Sequence, residues 1–301
     1  LGIARLAQSD YGAAETAINS ALMLDSDNSK AYKHLGQIHY LCNRLEEAEA
    51  VWSKAYSLDP EDFELEKRLL ALRKQLHLNE TLDTDDNLYF TVTYDGTTMP
   101  RLEHTVLDIL DNAYHEIGGR LRIYPKRQIS VTLLTRQAFF DVTGSPGWTA
   151  GLYEGQIKIP LADVDPDSLR KILYHEYIHA VIFDQIGSRC PWWLNEGLAQ
   201  FLSEGYNGYE KSGSMGVKEL VNPDIGTLSA LGNVFGIDEE KVSQSYAMAR
   251  SGVRYLVNSF GEAGIQKIIM LMAEGESFET AFHTATGYSF DWFEDDWRRH
   301  G

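Results

Sequence analysis

His175-Glu176-Tyr177-Ile178-His179 carries two histidines four positions apart. On an α-helix that spacing puts both imidazoles on one face, about one turn apart. Two neutral imidazoles on the same side can reach a single metal ion, and imidazole is a preferred zinc donor. Glu176 flanks the first histidine without needing to ligate, which is where a general base must stand to take a proton from a metal-bound water. A catalytic zinc needs a third protein ligand and keeps one position open.

A candidate third ligand lies in Pro191-Trp192-Trp193-Leu194-Asn195-Glu196-Gly197-Leu198-Ala199-Gln200-Phe201. Between His179 and Glu196 there is room for the first helix to finish, turn at Gly187 and return as a second helix. The competing reading is a pair of capping or solvated histidines on an ordinary amphipathic helix. The Asn-Glu-Gly-Leu-Ala run at a second helix start weighs against it.

HEYIH followed by WWLNEGLAQF resembles the gluzincin metallopeptidases, and most of all the bacterial peptidase MA-like families often fused to tetratricopeptide repeats. The resemblance implies one zinc ion held by His175, His179 and Glu196, with Glu176 as general base. It implies a hydroxyl donor at Tyr246 in Tyr246-Ala247-Met248-Ala249, with Arg250, His283 and Tyr206 as reserves. It also implies that substrate main chain pairs with a sheet edge ahead of the metal helix. Gln156, Ile157 and Lys158, in Gln156-Ile157-Lys158-Ile159-Pro160, are the candidate substrate-binding strand, by β-augmentation; an ordinary edge strand blunted by Lys158 and Pro160 is the alternative. In thermolysin-like enzymes an acid four residues after the ligand Glu orients an imidazole; here Gln200 stands there, and Asn195 is grouped with it as a supporting residue around the ligands.

Aligning the N-terminal segment with itself at a shift of 34 places Gly36 on Gly2, Ala48 on Ala14, Ala55 on Ala21 and Leu58-Asp59-Pro60 on Leu24-Asp25-Ser26. Tyr32, Leu35, Gly36, His39, Ala48, Trp52, Ala55 and Pro60 follow tetratricopeptide spacing. Small residues let two antiparallel helices approach, and Trp52 and Tyr32 fill the remaining space. Residues 63–78 continue as a further helix. The polar, acidic stretch 79–87 reads as a linker.

Beyond it, 88–94 and 128–134 have strand composition, 98–118 is a helix ending at Gly118-Gly119, and 136–142 is a short helix. Residues 148–160 hold two short strands. Asp165 caps a helix with Pro166 at its first position, running to about Ile186 and carrying HEYIH. Residues 205–236 form an irregular stretch that could wall the cleft, followed by helices over 238–259, 262–274, 277–285 and 289–299. The expectation is an α+β chain: a tetratricopeptide α-solenoid stub at 1–78, a linker at 79–87, and a zincin-like domain at 88–301 with a small mixed sheet and a mainly helical C-terminal half.

The chain has 301 residues, with 27 Lys plus Arg against 44 Asp plus Glu and a formal charge of −17. That balance, with no basic patch, argues against nucleic acid or anionic lipid as partners. No apolar run approaches the ~20 residues of a membrane span. Cys42 and Cys190 fall in different expected domains, which argues against a disulfide framework. A bacterial cell-envelope or exported location is favoured over the cytoplasm. The expected function is zinc-dependent hydrolysis of a peptide or protein substrate, with a possible protein partner on the repeats. The rivals are an interaction module with a vestigial metal site, a hydrolase of some non-peptide amide, and an aminopeptidase, for which Glu154 is the faint amine-holding candidate.

Overall fold

The computed structural model describes residues 11–96, 102–146, 149–161, 165–204, 226–232 and 239–300. By its contacts the chain divides into two compact units, Leu1–Asp111 with Pro125–Glu176, and Asn112–Tyr124 with Tyr177–Gly301. Among the described residues no helix is long and apolar enough to cross a membrane.

Among its described residues the first unit opens with the helices α1 (Tyr11–Leu24), α2 (Ser29–Leu41), α3 (Leu45–Leu58) and α4 (Phe63–Asn79). Asn28 caps α2 by accepting from the Ala31 N–H, and Asp62 caps α4 by accepting from the Leu65 N–H. Trp52 is buried and donates its indole N–H to the Lys33 carbonyl at 3.0 Å. With Ala48 and Ala55 it forms the contact between α2, α3 and α4 that the 34-residue spacing predicts.

A mixed five-stranded sheet follows, in the order β1-β2-β3-β5-β4. The strands are β1 (Asp83–Asp86), β2 (Phe90–Tyr94), β3 (Ile129–Thr135), β4 (Leu152–Tyr153) and β5 (Ile157–Leu161). β2, β3 and β5 run parallel, and β1 and β4 pair antiparallel at either side. Central β3 is apolar and buried at Ile129, Val131, Leu133 and Leu134, as a strand with neighbours on both sides should be. Thr135 ends it and caps α6 (Arg136–Thr143) by accepting from Ala138 N–H.

Two expectations for this unit are corrected. The stretch read as a linker contains β1, whose backbone pairs with Thr91–Tyr94. Acidic side chains do not prevent an edge strand, because they point to water while the main chain forms the ladder. Nor is β5 an edge: it pairs with β3 on one side and β4 on the other. Gln156, Ile157 and Lys158 are at most 1% exposed, so their side chains are interior. Among the described residues the edge strand on that side is β4.

The longest early helix, α5 (Leu102–Leu121), passes through Gly118-Gly119 instead of stopping there. A Cβ on Gly118 would collide with the Tyr124 ring, so this glycine serves close packing and not termination. The turn falls at Arg122, which carries the left-handed φ of 59°.

In the second unit lie α8 (Trp192–Ser203), α9 (Glu239–Ala273, broken at Gly261), α10 (Phe278–Thr286) and α11 (Phe290–His300). Ser277 caps α10 by accepting from the Thr280 N–H. Trp193, fully buried, stacks on Phe290 at 5.4 Å and meets Phe278 edge-on at 6.0 Å. Phe282 and Phe293 complete this aromatic core. The stretch expected to wall the cleft lies almost wholly outside the described residues, as does Tyr206.

Candidate metal centre

The helix α7 (Pro166–Ile186) carries the two histidines. Asp165 caps it, its Oδ1 accepting from the N–H groups of Asp167 and Ser168 at 3.1 Å. Leu169, Leu173, Ile178, Val181 and Ile182 are buried and fix the helix rotation. Ile172, on the same helix, is only partly buried. Gly187 ends the helix with φ 69° and opens a short 3-10 turn, Gly187–Arg189. α8 starts after Pro191, whose carbonyl accepts from Leu194 and Asn195 N–H, and Glu196 falls in its second turn.

The three side chains singled out by spacing converge. Imidazole and carboxylate donor atoms of His175, His179 and Glu196 all lie within 4.8 Å of one another. His179 Nε2 and Glu196 Oε2 are 3.5 Å apart, on side chains 12% and 13% exposed. Among the described residues this is the one group of three or more His, Cys, Asp or Glu donors that could hold a metal ion. Cys190 is outside it, and burial pushes its thiol up to about 12. It therefore stays protonated and inert near neutrality.

Glu176 is 5% exposed. A Cβ on Gly151, the residue just before β4, would stand 2.8 Å from its Oε1. The backbone entering the edge strand thus runs against this carboxylate, with no side chain between. Sequence reasoning passed over Gly151; an isolated glycine at a strand start is the signal for such a close backbone approach.

Tyr246 sits on α9 with its ring 5.4 Å from that of Trp192. Trp192 precedes Glu196 by four residues, so it shares that helix face with the carboxylate. Gly197 lets α9 lie directly on α8, because a Cβ there would strike the Ala249 carbonyl and Val253. Of the two other described reserves, Arg250 pairs with Glu204 just after α8, and His283 is exposed on α10. Among the described residues Asn195 Oδ1 is buried without a hydrogen-bond partner, and Gln200 lies one turn after Glu196, its carbonyl accepting from Ser203 Oγ.

Comparison with known families gives two matches. A model for the Peptidase MA superfamily matches residues 133–300, which include all of these residues. A tetratricopeptide repeat model matches residues 29–62, spanning α2 and α3. A search of curated proteins finds no match.

Proposed function

Since the chain belongs to the Peptidase MA superfamily, we propose that it is a zinc-dependent metallopeptidase with Glu176 as general base. The repeat at 29–62 supports a protein-interaction role beside it, residues 1–78 being the repeat segment and the peptidase domain starting at strand β1 instead of at residue 88. The observation that carries the proposal is the convergence of His175, His179 and Glu196, with a buried Glu176 alongside.

The donor set fits zinc. A tetrahedral zinc with bonds of about 2.0–2.1 Å keeps its donor atoms roughly 3.3 Å apart. The 3.5 Å between His179 Nε2 and Glu196 Oε2 is close to that spacing and long for a hydrogen bond. Zinc there would supply Lewis-acid polarisation of the scissile carbonyl and acidify a water.

The remaining work falls to the protein. Glu176 accepts the water proton on a carboxylate oxygen and returns it to the leaving amine nitrogen, so the group ends as it began. Its burial sharpens that role, because a carboxylate removed from bulk water acts on the few groups beside it. We assign Asn195 and Gln200, which flank Glu196 on α8, a supporting role around the ligands. Substrate main chain pairs with Leu152–Tyr153 of β4, not with β5, since β4 is the edge strand among the described residues and leads from Gly151 beside Glu176. The Tyr246 hydroxyl donates to the oxyanion formed on attack.

The test is cleavage of an unbiased peptide library by zinc-loaded protein, before and after chelation. Cleavage that stops with the chelator and returns with zinc is expected, with internal cuts outnumbering end-trimming. A fully zinc-loaded protein that cleaves nothing would leave the repeats as the functional part. A second expected result concerns Tyr246→Phe, which keeps the ring against Trp192 and removes only the hydroxyl. Loss of one oxyanion donor costs about 10²–10³ in rate, seen in kcat more than KM. A rate within about threefold of the parent at full zinc occupancy would remove Tyr246 from the mechanism.

A further inference from the structure

β4 is too short to place itself. Its ladder with β5 consists of Leu152 opposite Lys158 and Tyr153 opposite Ile157. An isolated pairing of that length is marginal at best in water. Yet it leads the Gly151 backbone directly to the Glu176 carboxylate, so something else must hold the β4–β5 hairpin.

The repeat helices do so at three successive points. Gly155, in the turn with φ 81°, lies against α2 so closely that a Cβ would stand 2.7 Å from Leu41 Cα. Gln156 Oε1 accepts from Gln75 Nε2 of α4 at 2.7 Å, both side chains being buried. Lys158, 1% exposed, donates from Nζ to the Tyr40 hydroxyl of α2 at 2.8 Å and stands 5.3 Å from the centre of that ring. Glu154, in the same turn, brings a carboxylate within 3.9 Å of the ammonium. Tyr40 is braced in turn by Trp52, the rings stacking at 5.4 Å. Burying an ammonium is costly unless its protons find partners, and here a partner is a repeat side chain. The cost of separating Lys158 from Tyr40 ties the hairpin to α2.

We propose that the repeat helices position the β4–β5 hairpin and, through it, the Gly151 backbone beside Glu176. Tyr40, Gln75 and Lys158 are then positioning residues of the site. The link to catalysis rests on Glu176 being the base; the placement of the hairpin does not.

Hydrogen–deuterium exchange of the full chain reads the placement without any turnover. The variants are Lys158→Met, Tyr40→Phe and Lys158→Arg, with Arg73→Gln as control, since Arg73 pairs with Glu49 inside the repeats. A lost charge-assisted hydrogen bond is of a size that raises local opening about tenfold. Residues 150–156 should exchange faster by that factor in Lys158→Met, and less so in Tyr40→Phe, while 172–182 of α7 stay unchanged. Lys158→Arg should recover most of the protection, and Arg73→Gln should leave 150–156 as in the parent.

With zinc bound, kcat should fall about 10–100-fold in Lys158→Met, since small misplacements near reacting groups have effects of that order, and KM should move less. Unchanged exchange at 150–156, or acceleration spread evenly over the sheet, overturns the proposal. If Lys158→Met does not fold, Tyr40→Phe is read by the same criteria. Accelerated exchange with full kcat retained would confine the repeats to structure and also overturn it. Failure of the base reading is separate: Glu176→Gln would then turn over like the parent, whatever the exchange shows.

Discussion

Glu176→Gln is expected to retain its zinc and to hydrolyse peptides at least about 10²-fold more slowly than the parent. The metal remains because Glu176 is outside the converging ligand set. Its shape also remains: glutamine is nearly isosteric, so the close packing against Gly151 survives. What disappears is the ability to accept a proton. Among the described residues the other carboxylate of the cluster is Glu196, which the proposed site uses as a ligand. Elemental analysis and steady-state rates on the same preparation check this together. A zinc-loaded Glu176→Gln protein with parental turnover would sink the base assignment while leaving the metal site intact.

His175→Ala and Glu196→Ala are each expected to lose stoichiometric zinc, because each leaves only two of three protein donors. Stability offers a second readout. A ligand that binds the folded chain alone stabilises it by about 4.1 kcal/mol when present at 1,000 times its dissociation constant. Added zinc should therefore raise the parent's thermal midpoint by several degrees and leave both variants almost unmoved. Neither residue is in the deep core, Glu196 retaining 13% exposure, so the zinc-free variants should still fold. Full zinc content in either variant would show that the ligand set is wrong.

The face shared by His175 and His179 is legible in the amino-acid sequence because it depends on spacing within a single helix. Positions 175 and 179 meet on one face whatever the helix packs against. The caps at Asp165 and Ser277 act on N–H groups three residues away or nearer. The 34-residue repeat is likewise local: Trp52 seats between α2 and α4 as the repeat itself dictates.

Other features depend on partners distant in the chain, and there the sequence misleads. Gln156–Lys158 has the composition of an edge strand, but strand order is set by pairing with residues 131–132 and 152–153. A buried Lys158 becomes intelligible only with Tyr40, 118 residues earlier, beside it. Gly118 looks like a helix stop and is instead a seat for Tyr124. The acidic run at 83–86 looks like a linker and is a strand because Thr91–Tyr94 offers it a ladder. Periodicity and capping are properties of neighbouring residues, so the chain alone determined the capped helices, the repeat and the face shared by His175 and His179. Strand order, and which backbone lies against the Glu176 carboxylate, are long-range pairings whose register no local pattern specifies, and the tertiary structure decided them.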